Sequence, residues 1–430
     1  MSRFQRFLQK WGPGGLARSL ERKRLRREVG RLEPPVRPDN EPSSSPSTSQ
    51  AWTVRSLTSA RFAASSPLPT YSVPDSDANR LTLVADSTRA TLDGSFDIAL
   101  ILCAALCQAT RRRLRIVTRA EAADSARIHR LLDGHAVELF FDPQFLHLPE
   151  SGSRVGMNVL DGELFVASCW RAVASLIGTV PDESILYLLQ QDERLRYARG
   201  DEYLRCAAVM ARPGIRQVVS TQLLYDHLAQ AGLAHIIDRG TWFEPAFPEA
   251  VFHPRERPGK MRLLFCAQAD NPTDLLYLGL ELIERALEQR TIDPAMWELL
   301  LLGEGMPDVD FGDIGCVHLG NLPDQQYGEL LGTVDVGIYL SASPHPGYPM
   351  LALAASGAVV VTNERDEHHG LRHYCENIIA APADLPSLAA ALIEAVALAA
   401  RKTLRSKNHQ AAAIPRTWNS SLARVLASVV

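Results

Sequence analysis

From Asn79 onward the chain alternates short apolar runs with longer segments that are apolar on one face. Leu81–Ala85, Leu114–Thr118, Val137–Phe141, Leu164–Ala167 and Ile185–Leu189 are only four or five residues long and rich in leucine and β-branched residues. That length and composition predict strands buried on both faces. Between them, a helix is predicted over Phe96–Thr110 and another over Ala122–Leu132, whose Ile128, Leu131 and Leu132 share one face. Val218–Ser220, a helix from Gln222 and the short run His235–Ile237 complete this half. Strands separated by helices predict an α/β protein with doubly wound, parallel sheets rather than a sandwich or a barrel.

Gly240–Lys260 breaks the rhythm with four prolines, and the alternation then restarts at Arg262–Cys266. The predicted organisation is therefore a first Rossmann-like domain over 79–245 and a second over 255–415. A terminal helix over 416–430 follows, and a basic segment and linker over 1–78, without stable structure, precedes them. Two such domains imply a cleft between them, the usual place for a ligand.

The second domain holds the most informative stretch, Val334–Asn363. It divides into a buried strand, a loop Ser341–Tyr348 with Ser343, His345 and Gly347 among its prolines, a helix opening at Pro349, and a second strand. The loop falls at the carboxyl edge of a parallel sheet, where doubly wound folds bind ligands. The N–H groups of a helix start favour phosphate there. An ordinary strand-to-helix turn without a ligand is the other reading. For His345 the alternatives are a ligand contact and a residue bonded to its own backbone.

The segment SPHPGYPMLALAASGAVVVTN (Ser343–Asn363) resembles the donor site of GT-B glycosyltransferases in the large retaining family that uses nucleotide sugars. In particular it is similar to the WsaF-type rhamnosyltransferases of bacterial surface glycan synthesis. Further matching pieces occur in the family's order: DGSF (Asp93–Phe96), LRIVTR, FVASCW and QQDE (Gln190–Glu193), then LYLGLELI, LLGEG (Leu301–Gly305) and HLGNL (His318–Leu322). The resemblance implies the GT-B fold, with the terminal helix crossing back to the first domain. It implies transfer of a sugar, rhamnose being the candidate, from a nucleotide diphosphate to a surface glycan or lipid-linked acceptor. Retention at the anomeric carbon, no divalent metal and no cofactor go with it, the nucleotide sugar being the substrate. Carried onto this chain, the donor side comprises Gln268, Gly303, Glu304, Gly305, Asn321, Ser343, His345, Gly347, Tyr348 and Pro349. Gly94, Ser95, Asp192 and Glu193 stand on the acceptor side. A plain turn at Gly94 and helix-capping carboxylates at Asp192 and Glu193 are the structural alternatives.

The departures from that pattern bear on activity. Gln268 stands where relatives carry an Arg, and Thr273 or Asp274 occupies a second basic position. Asn321 replaces a Lys, and Ala352 replaces a Glu. A departing diphosphate develops negative charge that cations or oriented dipoles normally stabilise. Arg365, His368, His369 and Arg372 are candidate substitutes that follow the second strand. The alternative function is a non-catalytic GT-B paralogue that binds or scaffolds an active enzyme.

Composition narrows the setting. A net charge of −4 gives no electrostatic case for nucleic acid as a partner. Seven cysteines, odd in number and without a CxxC pair, predict buried thiols in a reducing compartment. The longest apolar run, Ile98–Leu106, is too short to span a bilayer, and the chain start lacks the apolar core of a signal peptide. A cytoplasmic protein is expected. Residues 1–33 are basic, with Arg22, Lys23, Arg24, Arg26 and Arg27 nearly contiguous. They read either as a peripheral contact to the anionic inner membrane or as a solvated tail. No HExxH, Walker loop, GxSxG or zinc-spaced Cys/His set occurs.

Overall fold

The structure, a computed structural model, describes residues 53–73, 79–149, 155–364 and 370–429. The chain divides into two compact units, 1–56 and 57–430. Of the first, residues 53–56 are described: Thr53 Oγ1 accepts from the Ser56 N–H at 3.0 Å. The basic segment 1–33 lies outside the described residues, as do Arg365, His368 and His369. No described helix is long and apolar enough to cross a membrane.

The second unit contains β1 (Thr70–Val73), β2 (Arg80–Ala85), β3 (Arg113–Thr118), β4 (Gln144–His147), β5 (Met157–Leu160), β6 (Leu164–Ala167), β7 (Ile185–Leu189), β8 (Arg216–Ser220) and β9 (Thr241–Phe243). Seven of these form one parallel sheet in the order β4-β3-β2-β6-β7-β8-β9. β10 (Met261–Cys266), β11 (Trp297–Leu302), β12 (Cys316–Leu319), β13 (Val336–Tyr339), β14 (Val359–Asn363) and β15 (Ile378–Ala381) follow. They make a second parallel sheet, ordered β12-β11-β10-β13-β14-β15. Both orders reverse direction at an internal strand, as doubly wound sheets do.

Strand alternation explains the core. In β10, Leu263 and Phe265 face one apolar cluster while Leu264 and Cys266 face another, so the strand is buried on both sides. The cluster on the Leu264 side continues through Phe247 and Phe252 into the first sheet, where it meets Leu81, Leu83 and Ile116. The helix Ser95–Thr110 is buried all round from Phe96 to Cys107. Its outer cover is the terminal helix Trp418–Val429, which also packs on β9. Arg416, just before that helix, donates to the Phe247, Phe252 and Ala355 carbonyls at 3.2, 3.0 and 3.0 Å.

Three readings of the sequence are corrected. Val137–Phe141 is not a strand; Phe140 and Phe141 are exposed, and the strand begins after Pro143, which has no N–H to give a ladder. His235–Ile237 lies in a short helix, His235–Arg239, and the edge of the sheet is instead β9, inside the stretch that looked like a junction. Three residues are too few to separate the two periods. The linker assignment also extends too far, because β1 pairs with β5 from Thr70 opposite Met157 and Leu68 is buried in the core.

Candidate functional site

The carboxyl ends of the two sheets face each other across a cleft of about 1460 Å³. Its first wall is the loop after β2 (Ser87–Thr91) together with Arg127, Arg130 and His135 of the segment after β3. Its second wall is the turn after β11, with Glu304, and the loop after β12, with Gly320 and Asn321. A smaller pocket of about 30 Å³ opens deeper in, between Gly94 and Asp97 on one side and Asn321, Tyr327 and Tyr348 on the other. Thr91, His135 and Asn321 line both spaces.

The loop between β13 and the helix Tyr348–Ala355 is built by its own side chains. Ser341 Oγ accepts from the Ser343 N–H at 3.1 Å, Ser343 Oγ from the His345 N–H at 3.2 Å, and His345 Nδ1 from the Gly347 N–H at 2.9 Å. Each acceptor stands two residues before its donor, the pattern of side-chain turns, and Pro344 and Pro346 between them have no N–H to satisfy. The Ser341 N–H goes to Asn363 Oδ1 at 2.8 Å, and the Ala342 N–H to the Thr273 carbonyl at 2.7 Å. Every N–H from Ser341 to Gly347 is therefore used inside the protein. At the helix start proper, Pro349 has none and Leu351 donates to the Gly347 carbonyl, which leaves few N–H groups there for an anion.

His345 is accordingly a loop-building residue. Since Nδ1 accepts, the ring proton sits on Nε2, which lies 3.2 Å from Ser220 Oγ at the end of β8. A second proton on Nδ1 would break the bond to Gly347, so a cationic His345 is at odds with the loop's geometry. Gly347 has φ 92°, and a Cβ there would stand 2.1 Å from the Tyr339 ring. Gly303, with φ 143°, is equally constrained, since a Cβ there would stand 1.8 Å from the Ala267 carbonyl oxygen.

The remaining donor-side residues separate into two groups. Glu304 and Gly305 are exposed, and Glu304 Oε2 accepts from Asn321 Nδ2 at 3.0 Å on the cleft wall. Gln268 is half-buried, and its N–H donates to Asp274 Oδ2 at 2.8 Å. A carboxylate thus sits at the end of β10, where the resemblance places cations. Arg372 is exposed and pairs with Glu394 at 3.3 Å.

On the first wall, Gly94 has φ 60° and faces the Tyr348 ring, 3.6 Å from where a Cβ would be. The Ser95 carbonyl accepts from Gln190 Nε2 at 2.8 Å. Asp192 caps the short turn that begins at Glu193 and takes a two-pronged bond from Arg194 at 2.8 and 2.7 Å. Burial pushes its carboxyl up, but His227 and Arg194 outweigh that and hold it down at about 2. Glu193 is buried, accepting from the Tyr187 hydroxyl and the Trp170 N–H, and burial raises it to about 7. Both carboxylates are engaged within the first domain, and neither lines the cleft. His135, buried and held neutral to about 4, accepts from Trp418 Nε1 at 2.9 Å. Neither His135 nor Tyr327 carries a local sequence signal, since Trp418, which bonds the one, and Phe252, against which the other's ring packs, lie far off in sequence. Among the described residues no group of three or more His, Cys, Asp or Glu side chains is placed to hold a metal ion.

Comparison with known proteins agrees with this architecture. Residues 261–393 match the family described as WsaF, C-terminal domain. The chain is 30% identical over 243 residues to the O-antigen biosynthesis protein RfbC of Myxococcus xanthus. That match takes in 56% of this chain but spans only 18% of the relative's length. Among solved structures, the sucrose-phosphate synthase of Thermosynechococcus elongatus superposes with a TM-score of 0.57 at 11% identity, over 81% of this chain and 97% of that one. HepE of Anabaena, solved with UDP and glucose, gives 0.54 at 14% identity over 82% and 97%. WaaG, a glycosyltransferase of lipopolysaccharide biosynthesis, gives 0.51 at 13% over 81% and 98%. The chain has the GT-B fold of glycosyltransferases, and its second domain resembles that of the WsaF-type proteins.

Proposed function

We propose that this protein is a glycosyltransferase of surface-glycan synthesis that takes a nucleotide-diphosphate sugar in the interdomain cleft. The observation that carries the reading is the cleft itself. Its volume of about 1460 Å³ suits a nucleotide sugar, and its second wall is built by the LLGEG turn and the HLGNL loop within the stretch that matches the WsaF C-terminal domain. Rhamnose is the proposed sugar, and a glycan or lipid-linked acceptor enters from the Gly94 and Ser95 side. Transfer proceeds with retention and without a divalent metal. The protein works at the cytoplasmic face of the membrane, with residues 1–33 as its contact to anionic lipid.

In this reading the fixed cations come from the walls of the cleft, where Arg127, Arg130 and Arg255 stand. The start of the helix Tyr348–Ala355 adds a partial positive charge worth about 1 kcal/mol. At the end of β10, Gln268 and Asp274 stand where the resemblance places cations, and this favours a second reading: a paralogue that has kept the cleft and lost transfer. Incubation with thymidine-diphospho-rhamnose and uridine-diphospho-glucose in EDTA, with an acceptor extract, separates the two. Release of nucleoside diphosphate that depends on acceptor supports the enzyme. Saturable binding with no release supports the paralogue.

A further inference from the structure

The small pocket behind the cleft holds about 30 Å³, room for one water-sized group. Two polar atoms in its lining residues are shielded from solvent and have no hydrogen-bond partner among the described residues: Asn321 Oδ1 and the Tyr327 hydroxyl. Leaving such groups unpaired is costly, and folded proteins rarely do so. Other polar groups of the lining are engaged: Thr91 Oγ1 donates to Asp93 at 2.7 Å, and Asp97 takes Arg127 at 2.6 Å.

The chemistry of the two atoms restricts what fits. Asn321 Nδ2 donates to Glu304 Oε2, so turning the amide over would set its oxygen against a carboxylate. Oδ1 is therefore fixed as an acceptor and calls for a donor. The Tyr327 hydroxyl can donate or accept. Phosphate, ether and carbonyl oxygens offer Oδ1 nothing, whereas a ligand hydroxyl can donate to it and can also pair with a tyrosine hydroxyl. Asn321 also lines the cleft, so the pocket is an alcove of the same site.

We propose that Tyr327 and Asn321 form a hydroxyl-recognition site for the ligand of the cleft, with Tyr327 as a specificity-determining residue. The proposal rests on the nucleotide-sugar reading above, and the seated hydroxyl belongs either to the ribose or to the transferred sugar. Calorimetric titration of the full chain and of Tyr327→Phe with UDP, 2′-deoxy-UDP and UDP-glucose tests it. Loss of one neutral hydrogen bond weakens binding about three- to tenfold. If the ribose 2′-hydroxyl is seated, the parent discriminates against 2′-deoxy-UDP by that factor and Tyr327→Phe abolishes the discrimination. If the sugar's hydroxyl is seated, Tyr327→Phe loses that factor for UDP-glucose alone. In both cases the ligand-free variant melts no lower than the parent, because the hydroxyl it lacks has no partner in the fold. Equal affinities of parent and variant for all three ligands would overturn the proposal, leaving the alcove to solvent. A lower melting point without ligand would overturn it too, by showing that the hydroxyl is satisfied internally. Failure of the parent to bind any of the three, and thymidine-diphospho-rhamnose as well, would instead remove the nucleotide-sugar reading, and this proposal with it.

Discussion

The Tyr348 ring lies over Gly94, 3.6 Å from the position a Cβ on that glycine would take. This contact joins the DGSF loop of the first domain to the HPGYP loop of the second, with Phe247 of the connecting segment on the Tyr348 ring at 4.8 Å between centroids. A methyl group at residue 94 would meet the ring at ordinary contact distance, so only the left-handed backbone resists it, at about 1–2 kcal/mol. At Gly347 the same methyl would fall inside the Tyr339 ring. Gly347→Ala combines that overlap with a positive φ and should cost about 3 kcal/mol or more. Urea midpoints should therefore rank parent, Gly94→Ala, then Gly347→Ala at a clear distance. Equal losses would show that the loop is not held as described.

His345 is predicted to act through Gly347. His345→Ala strands the buried Gly347 N–H, at a cost of about 1–3 kcal/mol. His345→Asn supplies an oxygen two residues before the same N–H and should recover part of the loss. Unfolding by urea checks both variants. An alanine variant as stable as the parent would contradict the assignment.

Two buried groups give opposite pH responses. The Glu193 carboxyl is raised from 4.5 to about 7 by burial. Below pH 4.5 both folded and unfolded chains hold its proton. Between there and about 7 the unfolded chain ionises first, so stability is lost as pH rises, by an amount on the order of 3 kcal/mol. His135 is lowered by burial from 6.5 to about 4, so its contribution is present above 6.5 and is lost as pH falls toward 4. Glu193→Gln keeps acceptors for Tyr187 and Trp170 and should be more stable than the parent at pH 8 but not at pH 4. Denaturant midpoints across that range would show the crossover, and a constant offset would not fit.

The N-terminal boundary can be drawn by truncation. Removal of residues 1–52 should leave the unfolding transition of the α/β unit in place. Removal of 1–78 takes away β1, which pairs with β5, and the buried Leu68, and should lower the midpoint measurably. Identical transitions for the two truncations would return β1 to the linker.

The double alternation of strand and helix was legible because strands buried on both faces leave continuous apolar runs, as in Leu263–Cys266. Edges were less so. β4 carries a mostly exposed QFLH, β9 has three residues, and β1 lies in Pro- and Ser-rich surroundings, so none offers a period to read. Val334–Asn363 showed its strand, loop and helix, but not that the loop consumes its own N–H groups through Ser341, Ser343 and His345. That relay depends on side chains that could as well have faced a ligand. Tyr327 and His135 enter the site through folding alone, since nothing near either in sequence marks a cleft.

The most direct measurement is amide hydrogen exchange on the full chain with and without a saturating nucleotide sugar. A donor seated on the second domain should protect Gly303–Gly305 and Gly320–Leu322, which line or flank the cleft, and should protect the loop after β2 more weakly. The loop Ser341–Gly347, already bonded internally, should change little. Protection confined to other surfaces, or none under either UDP-glucose or thymidine-diphospho-rhamnose, would contradict the placement of a nucleotide sugar in this cleft.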